Sequence, residues 1–119
     1  MRLEIEQPKL AALLSRVTNA VEKRNTLPVL ANILLKADGN TLTAVATDLD
    51  LEVTTTAEAT VTTPGATTVN AATLSAIVAK LTKGKLVTLA VTDGVLQVTS
   101  GRSNLSLATL PIEDFPHLA

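Results

Sequence analysis

Cysteine is absent from the 119 residues, as are tryptophan and tyrosine, while phenylalanine and histidine occur once each, as Phe115 and His117. Without cysteine there is neither a disulfide framework nor a thiolate metal site, and a reducing compartment suits the chain. A single aromatic excludes the stacked rings on which single-stranded nucleic acid is held. It also obliges a core of Leu, Val, Ile and Ala, for which the 46% hydrophobic content is sufficient. His117 lies near the chain end after Phe115-Pro116, with no nucleophile or second ligand beside it, so no base catalysis or metal binding is assigned to it. No apolar run approaches a membrane span, and MRLEIEQPKL has no apolar stretch ahead of a small-residue cleavage site. One soluble, cytoplasmic domain is the expectation, requiring no cofactor.

What is present reads as strands and two helices. Residues 2–6 alternate and place Leu3 and Ile5 inward, and Gln7-Pro8 opens a helix because proline in the first turn forfeits no needed hydrogen bond. Leu10, Leu13, Leu14, Val17, Ala20 and Val21 follow the three-and-four spacing of one helical face. Strands are expected at about 29–36, 41–47 and 51–59, with a turn at Asp38-Gly39-Asn40, before Thr63-Pro64-Gly65 breaks the chain. The same order then recurs. It comprises a strand at 66–70, a helix capped by Asn70 with Leu74, Ile77, Val78 and Leu81 on one face and closing near Gly84, and strands at about 86–92, 95–100 and 103–109. Two strand-helix-strand-strand-strand repeats, about 1–60 and 65–110, predict an α+β domain with a pseudo-twofold, its two helices packed side by side on antiparallel sheet.

The formal net charge of −1 conceals a segregation. Residues 7–24 and 70–85, the helical segments with their flanks, hold seven cations (Lys9, Arg16, Lys23, Arg24, Lys80, Lys83 and Lys85) against Glu22 alone. The remainder holds three cations against ten carboxylates. Lys9, Arg16 and Lys23 recur every seven residues and form a stripe opposite the leucines, and Lys80 and Lys83 are expected to line up on the second helix with Thr73. Side by side, such helices make a face that attracts phosphates without reading bases. The plainer reading is that amphipathic helices carry solvated charge.

Enzymatic motifs do not emerge. Asp48, Asp50 and Glu52 begin like a calcium loop, but Val53 and Ala59 stand where that loop needs glycine and a carboxylate. Alternation instead makes them the outer face of a strand burying Leu49, Leu51 and Val53. No glycine pair precedes Lys-Ser/Thr at the spacing of a phosphate loop.

The segment from Arg24 to Leu35, RNTLPVLANILL, resembles the signature of the bacterial DNA polymerase III beta sliding clamp near the start of its first domain. Thr47-Asp48-Leu49-Asp50, Pro64 to Val69, and Ser100-Gly101-Arg102-Ser103, running on to Thr109-Leu110-Pro111 and Asp114-Phe115-Pro116, resemble that domain in the same order. The resemblance implies a DNA-clamp fold in a three-domain subunit, two of which close head to tail around duplex DNA, with helices lining the hole and sheets forming the wall. On that resemblance the chain is the first domain alone, residues 111–119 beginning a linker to the second. Arg24 matches a position that touches DNA, and Lys9, Arg16 and Lys23 would face the hole with it; Lys80 and Lys83 are added from helix geometry. Ile77, Leu81, Leu105 and Leu107 match positions that pack on the third domain of the other subunit, and Arg102 matches an ion-pairing position there. Thr73, Val95 and Asn104 stand where well-known relatives carry cations, which shifts that interface toward apolar packing. Polymerase and clamp loader would bind parts of the clamp outside this chain, and its unpaired sheet edges would favour weak self-association. The competing function is a stand-alone, strand-rich protein-interaction domain that does not bind DNA.

Overall fold

The computed structural model describes residues 1–18, 32–47 and 52–115. Alternating sequence becomes strand wherever one face can be buried. In β1 (Arg2–Glu6) Leu3 and Ile5 are inaccessible while Arg2, Glu4 and Glu6 are exposed. Helix α1 (Gln7–Thr18) starts at the Gln7-Pro8 step and buries Leu10, Leu13, Leu14 and Val17. Ala20 and Val21, expected on the same face, lie outside the described residues, as do Val29, Leu49, Leu51 and the carboxylates Asp48 and Asp50.

Strands β2 (Asn32–Asp38), β3 (Thr41–Thr47) and β4 (Glu52–Glu58) form an antiparallel meander, with Gly39 taking a φ of 59° in the β2–β3 turn. A short strand then appears that the alternation does not reveal. β5 (Thr60–Thr63) separates from β4 at Ala59, whose N–H donates to the Asn40 carbonyl at 3.0 Å, and pairs with β1. β6 (Gly65–Asn70) leads into α2 (Ala71–Ala79), where the Asn70 side chain accepts from the Thr73 N–H at 2.9 Å, the expected cap. β7 (Leu86–Thr92), β8 (Val95–Ser100) and β9 (Ser103–Ala108) complete a second meander, followed by a 3-10 turn at Ile112–Asp114.

The repeat is built by exchange. The opening strand of the first half joins the second half's meander, giving the sheet order β5-β1-β7-β8-β9, and the opening strand of the second half joins the first half's, giving β4-β3-β2-β6. The antiparallel sheet expected thus takes the form of two sheets, and the two helices pack on each other and on both. One continuous apolar cluster runs between helices and sheets, from Leu3 and Leu14 through Leu35 and Leu74 to Val98.

Helix α2 ends at Ala79, earlier than the expected closure near Gly84. Two tight bonds, Lys80 N–H to the Ile77 carbonyl and Leu81 N–H to the Val78 carbonyl, both 3.1 Å, wind up its last turn. The Gln7 Nε2 amide, buried at the start of α1, donates to that same Val78 carbonyl at 2.9 Å, and the Gln7 N–H donates to the Lys85 carbonyl at 3.0 Å. The first half thus terminates the helix of the second. Gln7→Ala is expected to cost about 1–2 kcal/mol in urea unfolding through loss of this buried hydrogen bond, with faster amide exchange at 80–85.

Candidate nucleic-acid face and subunit groove

Of the stripe expected on α1, Lys9 and Arg16 project from one exposed flank seven residues apart, whereas Lys23 and Arg24 lie outside the described residues. The flank runs beside β3 and β4, and a shallow recess there is lined by Lys9, Ala12, Arg16, Thr41, Thr56 and Glu58. Lys9 Nζ stands 3.7 Å from Glu6 Oε1 and 3.7 Å from Glu58 Oε2. The face expected to be purely cationic is therefore met at its N-terminal end by strand carboxylates. Arg16 Nε donates to the Ala12 carbonyl one turn back, at 3.2 Å, and no ion pair involves Arg16 among the described residues. Glu6 was detectable in sequence through its three-residue spacing from Lys9, while Glu58 enters only through the packing of β4.

Lys80 and Lys83 do not share a helical stripe with Thr73. With α2 ending at Ala79, Lys80 is its C-cap and Lys83 falls in the following turn with Gly84, which takes a φ of 84°. Lys80 lines a groove instead, together with Thr73, Ile77, Leu81, Ser103 and Leu105.

That groove assembles most of the residues expected at a subunit contact. β9 is the outer strand of its sheet and pairs on one side only, with β8. Leu105 stands opposite Val98 and Leu107 opposite Leu96, both partners being inaccessible, so both leucines belong to the inner apolar face. Leu107 is half-buried against the core, but Leu105 is 40% exposed. Leu81, 7% exposed, is core, whereas Ile77 is half-buried at the groove wall. The sequence allowed all four to be ordinary core; the fold leaves Leu105 and Ile77 as an uncovered end of it. Arg102 is exposed at the Ser100–Ser103 turn preceding β9. No group of His, Cys, Asp or Glu arranged to hold a metal occurs among the described residues, and no helix there is long and apolar enough to cross a membrane.

Residues 1–119 match the family model described as DNA polymerase III beta subunit, N-terminal domain. The chain belongs to that family. It is 44% identical over 118 residues to the beta sliding clamp of Caulobacter vibrioides, covering 98% of this chain and 32% of that protein. It is 38% identical over 124 residues to the beta sliding clamp sequence of Vibrio harveyi, covering 99% of this chain and 82% of that sequence. The solved Caulobacter crescentus pol III beta superimposes with a TM-score of 0.97 at 44% identity over 100% of this chain and 32% of that one. The DNA polymerase III subunit beta of Pseudomonas aeruginosa gives 0.96 at 37% identity, again over 100% of this chain and 32% of that one. The chain thus spans about a third of the length of the Caulobacter and Pseudomonas relatives, and the fold, with its two helices on two antiparallel sheets, is that of the matching part of the clamp.

Proposed function

We propose that this chain serves as the first domain of a DNA polymerase processivity clamp, a non-catalytic module whose helical face turns toward duplex DNA inside a closed ring. The observation that supports this most directly is the superposition of the whole chain on the corresponding third of beta-clamp structures. The basic flank of α1 adds to it, since cations on a helix supply a sequence-independent attraction to phosphates. A ring retains DNA by topology, so these contacts can be weak enough for sliding. Arg16 on the described flank, and Lys23 and Arg24 beyond it in sequence, carry the phosphate contact, with Lys80 and Lys83 at the end of α2 adding positive potential. Residues 111–119 lead toward the next domain of the clamp.

The groove at Ile77, Leu81 and Leu105, with Leu107 on the same strand and Arg102 in the turn before it, is proposed as the seat for the second subunit. Its walls are an apolar helix face and an outer strand with one edge unpaired, so a partner can both fill the groove and extend the sheet. Polymerase and clamp loader are partners of the assembled ring.

An amide chemical-shift titration of the labelled chain with an arbitrary duplex at low salt tests the DNA-facing assignment. The expected result is weak binding, with Kd near ~10⁻⁴ M or poorer, shifts gathered around Ala12–Arg16 and the residues following α1, and loss of both as salt rises. Shifts confined to the strands, or none, would favour the protein-interaction domain that does not bind DNA.

A further inference from the structure

We infer that Glu6 and Glu58 withhold Lys9 from DNA, so that phosphate contact on α1 begins at Arg16; this rests on the helical-face reading proposed above. Glu6 is the last residue of β1 and Glu58 the last of β4, and the two strands bring their carboxylates to the same ammonium from different sheets. The recess around Lys9 is more acidic still, because Glu4 lines it together with Asn40, Thr60 and Leu86. A phosphate approaching Lys9 therefore meets one cation and at least two carboxylates. Repulsion from each carboxylate about 8 Å away reduces phosphate occupancy roughly twofold in water, and this cancels the attraction of the lone ammonium.

Each pair is weak taken singly, since Glu58 is 90% exposed and Glu6 60%. What makes the arrangement effective is that both anions are fixed to strand ends and remain beside Lys9 whichever of them holds it at a given moment. Arg16 differs in kind. Its guanidinium is tied to its own helix by one N–H, faces no carboxylate within ion-pair distance among the described residues, and keeps a planar fork suited to phosphate. The stripe is thus graded. Its Arg16 end is open to phosphate, and its Lys9 end joins α1 to the ends of β1 and β4.

The test is duplex affinity of the chain and its variants measured across a range of salt concentration. Arg16→Ala is expected to lower the slope of log affinity against log salt by about one contact, and Lys9→Ala to leave slope and affinity unchanged within about twofold. Glu6→Gln combined with Glu58→Gln is expected to raise low-salt affinity about fourfold and steepen the slope by about one, and adding Lys9→Ala to return the slope to its starting value. A slope lowered by Lys9→Ala alone, or left unchanged by the double substitution, would overturn the inference while the Arg16 result sustained the helical-face reading. No duplex binding by the unaltered chain would overturn that reading and the inference with it. A DNA-free readout bears on the pairing alone. The Lys9 Cε resonance should move in the Glu6→Gln, Glu58→Gln chain more than those of Lys36 and Lys83, and an unmoved resonance would also refute the inference.

Discussion

Truncating Leu14 to alanine is expected to cost about 3–5 kcal/mol, the largest stability loss foreseen for this domain. Leu14 is inaccessible, in the apolar cluster that α1 shares with α2 and both sheets. A core of aliphatic side chains has few means of closing the resulting space, because Phe115 is the sole aromatic and Met1 the sole methionine. The expected loss would take a large part of the roughly 5–15 kcal/mol by which domains are ordinarily stable. Urea unfolding followed by far-ultraviolet circular dichroism would measure it. A cost below about 1 kcal/mol would mean that the two helices do not pack as described.

Placing a charge at Leu105 should have the opposite distribution of effects. In the isolated chain Leu105→Asp is expected to change stability by only about 0.5 kcal/mol, since the side chain is already 40% exposed on an outer strand. In a chain carrying all three domains of a clamp, the same substitution would set an unpaired carboxylate into the apolar groove at the proposed subunit contact. A rise in dimer dissociation constant of about thirtyfold or more, equivalent to about 2 kcal/mol, is then expected in sedimentation equilibrium. Equal dimerisation of the unaltered and substituted clamps would remove Leu105 from the contact.

Much of the fold could be read from local pattern. The alternation of β1, the leucine spacing of α1 and the Asn70 cap each arise within a few residues, and each is found as expected. Features that depend on the other half of the chain were not legible. Periodicity says which face of β1 is buried but not that its neighbours are β5 and β7. The early end of α2 rests in part on Gln7, which no pattern within residues 70–85 discloses. β5 was hidden because threonine-rich alternation continues through Ala59, where a single backbone bond to Asn40 marks the change of sheet.

The site follows the same division. The seven-residue spacing of Lys9 and Arg16 correctly placed them on one flank, whereas their different surroundings depend on Glu58, far away in sequence. Leu105 and Leu107 were expected from the resemblance, and β9 places them on one face. Local pattern could not show that the covering of that face runs out at Leu105.

The exchange of opening strands also governs when this domain can fold during its synthesis. β1 precedes every other element of this domain in synthesis, yet its register partners Leu86 to Ala90 follow only after the first meander and α2. Until β7 is made, Leu3 and Ile5 have at most the short β5 beside them, and the first meander waits likewise for β6 to flank β2. Assembly of the larger sheet is deferred until β7 has emerged, and its sequence-distant pairings favour slow folding. The nascent chain would expose an alternating strand for that entire interval, with Arg2, Glu4 and Glu6 as the charges that keep it from pairing with a neighbour.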